Sequence, residues 1–377
     1  MKEICKREKC TGCFACYNAC PKKCIKMQEN TYGFLYPEID FNQCVNCGKC
    51  EAVCPVNNQI QLNKVKSVYA GWSLDESERA SSTSGGVAAE ISKSYIEKGG
   101  VIYGACINDS LEVTHKRISR NEELPLLKQS KYVQSRINDS YKMIQEDLHN
   151  GMDVLFVGTS CQVAGLKNYL GKEYDNLLLC DIVCHGVPSY KMLREYIDSV
   201  SENKKVTSYK FRNGNEYYFS LFDGDVKINE SYLRESTYFL AFMEGLTCRN
   251  NCYECRYCTD TRVGDITLGD FWGLGKKIPF TKDKRNGVSL ILFNTDKGLT
   301  LKGYLEKVCF MEQRTLEEAV EGNMQLREPL QNNVQRKKFE KLYSKKGFNY
   351  AVKHCCAKSM IRYKIKKKMQ NVWKSFI

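Results

Sequence analysis

No run of eighteen or more apolar residues occurs in the 377 residues, so the sequence offers no helix able to cross a bilayer. The first residues, MKEICKREKC, hold no apolar stretch of the kind a secretory signal needs. A disulfide framework is therefore not expected, and the reducing cytoplasm is the expected location. No GxGxxG follows an apolar run, which argues against a Rossmann-type nicotinamide site. Zinc-finger, helix-turn-helix and RNA-binding motifs are missing, as is any low-complexity tract. Histidine is scarce, at four residues. What remains is a chain with 42% hydrophobic content, enough to bury a substantial core in two or three domains.

The formal charge of +13 suggests nucleic acid until it is located along the chain. Residues 336–377 carry fourteen Lys and Arg against one acidic residue, Glu340, and the rest of the chain balances to zero. Phe348, Tyr350, Val352, Ile361, Ile365, Met369 and Phe376 are interleaved with those charges. The pattern predicts one or two basic amphipathic helices forming an appendage outside the body. Peripheral contact with an acidic partner or an anionic membrane surface is one use for it, a solvated helix the plainer one. Specific nucleic-acid binding is not expected.

Cysteine is abundant, at 21 residues, and its spacing is the strongest signal. Cys10, Cys13, Cys16 and Cys20-Pro21 are followed by Cys44, Cys47, Cys50 and Cys54-Pro55. A cubane cluster needs four converging thiolates, and three cysteines two residues apart can wrap one loop around three of its corners. Each run resembles that of bacterial two-cluster ferredoxins, in which the proline-flanked cysteine ligates the other cluster. The resemblance implies two [4Fe-4S] clusters, one on Cys10, Cys13, Cys16 and Cys54, the other on Cys44, Cys47, Cys50 and Cys20. Zinc sites more often bring two separated pairs of ligands. Cys5 and Cys24 fall outside the pattern and receive no role.

A second quartet, Cys248, Cys252, Cys255 and Cys258, lies within eleven residues. It can enclose one metal centre with all ligands local. The neighbouring redox module favours a third [4Fe-4S] cluster, and structural zinc stays open, because four thiols alone do not choose. Asp265, Gly269 and Asp270 are expected to shape the adjoining turn.

Behind the ferredoxin run, VNNQIQLNKVK reads as a polar linker. The apolar runs SVYAGWS, VIYGACI, LEVTHKRI, VLFVG, LLLCDIVC and VSLILFNT alternate with helical stretches such as GGVAAEISKSYIEKGG, CQVAGLKNYLG and SYKMLREYIDSV. Such alternation argues for an α/β body, with the Tyr/Phe-rich stretch 209–222 antiparallel. The expected fold class is α+β / α/β: a two-cluster ferredoxin domain, a mixed α/β body and a basic helical C-terminal tail. Two strand-to-helix junctions, Ser81–Gly86 and Gly158–Gln162, place free N–H groups and hydroxyls at helix N-termini, where an anion is favoured, although small residues there are often simple caps.

SSTSGGV, LLKQSKYVQS, VGTSCQVAGL, DIVCHGVPS and ITLGDFWG, in this order, resemble the family of coenzyme F420 hydrogenase/dehydrogenase beta subunits over roughly residues 66–310. The resemblance implies an FAD-containing iron-sulfur oxidoreductase, ferredoxin- or deazaflavin-linked, whose two-electron partner is a protein or a small-molecule donor or acceptor. An electron-transfer subunit without substrate chemistry of its own is the alternative. The expected division is 1–60 (ferredoxin-type), 66–145 (N-terminal region of the family, flavin-binding), 150–315 (C-terminal region with the second cysteine quartet) and 316–377 (basic tail). Carried over by motif, flavin contacts fall on Ser84, Gly85, Gly86, Lys131, Tyr132, Thr159, Cys161, Gln162 and Gly186. His185 is a candidate catalytic proton relay, or else a histidine that holds its turn by hydrogen bonding. Ser160 stands where the family commonly has proline, which should loosen that loop. Cys161 and Cys184 read as small buried residues.

Overall fold

The computed structural model describes residues 3–374, so Phe376 of the basic segment lies outside the described residues. The first two strands, β1 (Ile25–Glu29) and β2 (Leu35–Ile39), form a short antiparallel hairpin between the two cysteine runs. The body contributes β3 (Ser67–Ser73), β4 (Val101–Ile107), β5 (Val113–Ile118), β6 (Val154–Thr159) and β7 (Leu177–Ile182). Next come β8 (Ser208–Asn213), β9 (Glu216–Asp223) and β10 (Val226–Tyr232), then β11 (Ile266–Asp270), β12 (Ser289–Phe293) and β13 (Cys309–Arg314).

The main sheet has eight strands in the order β13-β3-β12-β11-β7-β6-β4-β5. β4, β6, β7 and β11 are parallel. β12 runs against both β11 and β3, so β3 points the same way as the parallel set. The apolar runs are continuous because both faces are covered. Val154, Phe156, Leu177 and Leu179 face one side with Val163 and Leu166 of the helix Ser160–Leu170, and with Cys13 and Phe14 of the ferredoxin module. Leu155, Leu178 and Cys180 face the other side. The Tyr/Phe-rich stretch supplies β8 and β9, which with β10 form a separate antiparallel three-stranded sheet.

Two expectations change. The segment after Pro55 is no free linker: Ile60 and Leu62 pack against the core, Asn63 pairs in both directions with the Arg262 backbone, and Lys66 N–H donates to Phe293. The basic C-terminal segment is not an appendage either. It forms three helices, Arg336–Lys346, Phe348–Cys355 and Ala357–Lys374. Phe339, Phe348, Ala351 and Val352 are fully buried in the aromatic core around β8 and β9. The lysines mask an apolar stripe at helical spacing. The third helix keeps Ile361, Ile365 and Met369 exposed, and Tyr350 is exposed on the second.

Candidate redox centres

The two cysteine runs build the same turn twice. Gly12 and Asn46, before the second cysteine of each run, and Phe14 and Gly48, after it, all have positive φ, at 66°, 51°, 64° and 73°. These left-handed steps turn the loop so that three thiols face one cavity, and a short helix follows each (Ala15–Ala19, Lys49–Ala52). A non-glycine residue such as Phe14 takes this conformation at a cost of about 1–2 kcal/mol, supplied by the surrounding packing.

One cavity is lined by Cys10, Cys13, Cys16 and Cys54. The other is lined by Cys20, Cys44, Cys47 and Cys50. The proline-flanked cysteine of each run thus reaches the cavity of the other run. The thiols of each set ring a cavity. Each cavity also has a fifth thiol. Cys5 stands beside Cys10 and Cys54, whose hydrogen bonds push its pKa up, and Cys24 Sγ lies 3.3 Å from Cys20 Sγ. The cavities differ in setting. Cys10 and Cys13 are buried against the body and Cys54 within the module's own small core, whereas of the second set Cys20 alone is buried, Cys44 and Cys50 are half-buried and Cys47 is exposed; the first cavity is the inner one and the second the outer.

The second quartet gathers more thiols than its spacing suggested. Burial raises the Cys184 pKa well above the ordinary thiol value, and so do Cys252, Cys161 and Cys255 beside it. Cys248 and Cys258 also feel Cys184. Cys161 and Cys184, read from sequence as inert buried residues, therefore belong to one neighbourhood with Cys248, Cys252, Cys255 and Cys258. Gly186 serves this group: a Cβ there would stand 2.8 Å from Cys248 Sγ, and its φ of +128° suits glycine.

The helix Ser160–Leu170 touches two centres. Cys161 in its first turn faces the six-cysteine group, and Gly165 lies against Cys13 of the inner cavity. Four residues of helix separate them, about 6 Å of rise. Its N-terminus is fixed by a capping box in which Gln162 Oε1 accepts from Thr159 N–H at 3.0 Å. Ser160 does not loosen the loop. Its hydroxyl donates to the fully buried Asp181 carboxylate at 2.6 Å, which also receives Arg262 at 2.7 Å and Thr267 at 2.5 Å.

The remaining motif residues sit at the C-terminal ends of the parallel strands, the edge where open α/β sheets bind ligands. Ser84, Gly85 and Gly86 come after the short helix Glu76–Ser81 that follows β3; Thr159 ends β6, with Cys161 and Gln162 just beyond it; His185 and Gly186 follow β7. Gly85 has a packing duty, since a Cβ would collide with the Gly71 carbonyl. Lys131 reaches the helix Leu124–Leu127, its ammonium donating to the Leu127 and Lys128 carbonyls at 2.9 and 2.6 Å, and burial lowers its pKa to about 7. Tyr132 OH accepts from Arg212 at 2.9 Å. Arg212, invisible as a site residue in the sequence, is buried where three loops meet: it also donates to the Thr83 carbonyl at 3.1 Å and to Asp270 at 3.2 Å. Its Nε is buried without a partner.

His185 lies edge-on to Phe242, ring centroids 4.9 Å apart. With the Gln325 amide donating to Nδ1 at 2.9 Å, the imidazole is the Nε2–H tautomer. Nε2 makes no well-formed hydrogen bond, only a weak approach to the Phe242 backbone. Burial outweighs that approach and lowers the pKa.

An iron-sulfur module joined to a mixed α/β body defines the class, a subunit of an iron-sulfur oxidoreductase. Residues 151–318 match the family described as the C terminus of the coenzyme F420 hydrogenase/dehydrogenase beta subunit, and residues 9–58 match the 4Fe-4S dicluster domain. Residues 151–318 therefore carry the C-terminal domain of that family, with the dicluster domain on its N-terminal side. The chain is 22% identical over 293 residues to the F subunit of the F(420)H(2) dehydrogenase of Methanosarcina mazei, covering 72% of this chain and 80% of that protein. Its ferredoxin region is 36% identical over 59 residues to the VorC subunit of the ketoisovalerate oxidoreductase of Methanothermobacter marburgensis, covering 15% of this chain and 75% of that one. Among solved structures, a chain of the F420-reducing [NiFe] hydrogenase complex from Methanosarcina barkeri aligns with a TM-score of 0.47 and 16% identity, over 78% of this chain and 92% of that one.

Proposed function

We propose that the protein is an iron-sulfur flavoprotein oxidoreductase subunit that exchanges electrons between its [4Fe-4S] clusters and FAD, and through FAD with a two-electron partner. The clusters would supply one-electron transfer and the flavin the change to two-electron chemistry. One observation carries the proposal: a single helix places Cys161 in the six-cysteine group and Gly165 against Cys13, so the inner cavity and the third centre adjoin.

Cys10, Cys13, Cys16 and Cys54 would hold the inner cluster, Cys20, Cys44, Cys47 and Cys50 the outer one. The exposed Cys47 favours the outer cavity as the place where an external donor or acceptor docks. Cys248, Cys252, Cys255 and Cys258, with Cys161 and Cys184 beside them, are the ligand pool for a third cluster. The partnerless Arg212 Nε and the poorly bonded His185 Nε2 are the orphaned donors expected where a polar ligand belongs. β3 and β6 stand four strand spacings apart, about 19 Å, so only an elongated ligand such as a dinucleotide could touch both Ser84–Gly86 and Thr159–Gln162. Tyr132 and Arg212 lie between those loops and would orient it. His185, neutral and carrying its proton on Nε2, would hold or pass one proton there. The four domain ranges given above are proposed to follow this division of labour, except that the helices from Arg336 to Cys355 pack with the body.

The test is anaerobic purification followed by metal and flavin analysis. About eight irons are expected from the dicluster module and about twelve in all, with one FAD. Cys248→Ser together with Cys252→Ser should remove about four irons and leave the ferredoxin signals. Eight irons plus one zinc would overturn the third cluster, and a folded, iron-replete protein that takes up no FAD would overturn the flavin site.

A further inference from the structure

Among the described residues, Arg249 is a deeply buried arginine that the fold leaves without a carboxylate. It is fully inaccessible. Nε donates to the Cys10 carbonyl at 2.7 Å, Nη2 to the Leu35 carbonyl at 2.8 Å and to Cys10 Sγ at 3.5 Å, and Nη1 to Gln134 Oε1 at 3.3 Å. Its guanidinium lies 4.2 Å from the Tyr36 ring centroid. Among the described residues no Asp or Glu pairs with it. The other deeply buried arginines are neutralised: Arg262 by Asp181, Arg212 by Asp270 and Arg314 by Glu318. A guanidinium cut off from water costs several kcal/mol unless an anion faces it, so a fold that leaves one unpaired implies a counter-ion of another kind.

Among the described residues, the anion within its reach is the Cys10 thiolate, with the cluster that it would carry. We infer that Arg249 is the counter-ion of the inner [4Fe-4S] cluster and holds its reduction potential above that of the outer cluster. The inference rests on the assignment of Cys10, Cys13, Cys16 and Cys54 as ligands. Reduction adds negative charge to the cluster. A fixed positive charge in a water-excluded site favours that charge, and a hydrogen bond to the ligand sulfur acts in the same direction. The outer cavity has its own cations, Lys22 and Lys49, but both are exposed and therefore screened. The asymmetry would draw an electron arriving at the surface inward, toward the residue that precedes Arg249, Cys248 of the third centre. Arg249 is thus a positioning residue that acts through the cluster.

The experiment is an anaerobic redox titration of the full chain, followed by electron paramagnetic resonance, on the parent protein, Arg249→Gln and Arg249→Lys. Iron is counted in each, and Cys13→Ser and Cys47→Ser assign the inner and outer signals. Arg249→Gln should make inner-cluster reduction at least tenfold less favourable, 59 mV for one electron, while the outer cluster stays put and Arg249→Lys falls between. An inner potential within twofold of the parent in Arg249→Gln, or an equal shift of both clusters, overturns the inference. If Arg249→Gln loses about four irons, their retention in Arg249→Lys upholds the counter-ion role; loss in both variants overturns it in favour of a packing role. A parent protein without about eight irons in the dicluster module would instead refute the ligand assignment, before any Arg249 variant is made.

Discussion

Gly165 and Cys13 meet with no room for a methyl group between them: a Cβ on Gly165 would stand 2.9 Å from both Cβ and Sγ of Cys13. This contact fixes the ferredoxin module on the helix Ser160–Leu170. Gly165→Ala should overpack it at a cost of about 1–3 kcal/mol. Limited proteolysis of the variant should show faster cutting between residues 56 and 66 with the sheet core still protected. Unchanged cutting would mean that the contact is not tight.

Asp181 is the polar centre of the edge formed by the C-terminal ends of the parallel strands, with Arg262, Ser160 and Thr267 donating to it. Asp181→Asn leaves the Arg262 charge buried without its partner and should cost about 3–5 kcal/mol, whereas Ser160→Ala should cost about 1–3 kcal/mol. Anaerobic urea denaturation would rank them. Equal effects would count against an ion pair at the centre of the network.

His115 gives the fold a pH dependence of known sign. Burial lowers its pKa to about 4, and the neutral ring bonds Ser135 Oγ at 2.8 Å and the Val157 carbonyl at 3.1 Å. The unfolded chain takes up the proton near pH 6.5, the folded one only near 4. The stability tied to the neutral ring is therefore complete above about 6.5 and is lost as pH falls toward 4, up to about 3 kcal/mol in all. Denaturation at pH 7 and pH 5.5 should show the parent weakening more than His115→Asn; parallel behaviour would remove His115 as the cause.

Truncation separates the two parts of the basic segment. A chain ending at residue 335 loses Phe339, Phe348 and Val352 from the core, each worth about 1.5–3 kcal/mol, and should fail to fold. A chain ending at residue 363 keeps them and should retain its full iron content. It lacks only Lys364, Lys366, Lys367, Lys368 and Lys374 among the segment's cations. Any binding to an anionic partner that this second cut removes should also weaken with salt, since the Debye length is about 8 Å at physiological ionic strength. An iron-free or aggregated 1–363 protein would place the third helix in the core as well.

The cysteine runs were legible because a cubane dictates local spacing, and the strands because two covered faces demand continuous apolar runs. Cys161 and Cys184 were not legible beside Cys248, Cys252, Cys255 and Cys258. What unites them is the parallel neighbourhood of β6, β7 and β11, a long-range register that no local spacing encodes. Arg212, Arg249 and Arg262 were missed because arginine is ordinarily a surface residue, and nothing nearby in the sequence marks its burial. The basic segment misled for the opposite reason: charge count outweighed the buried stripe of Phe339, Tyr343, Phe348 and Val352.

The strap from Ile60 to Lys66 bears on how the molecule can work in time. Asn63 is stitched by its backbone to Arg262, the residue whose side chain neutralises Asp181, while Cys13 is wedged against Gly165 on the same face of the sheet. A ferredoxin module held at both places is no swinging shuttle that collects charge on one side and delivers it on the other. It is a soldered terminal, so transfer within the chain would wait on no domain swing, and solvent viscosity would enter only through encounter with the external partner.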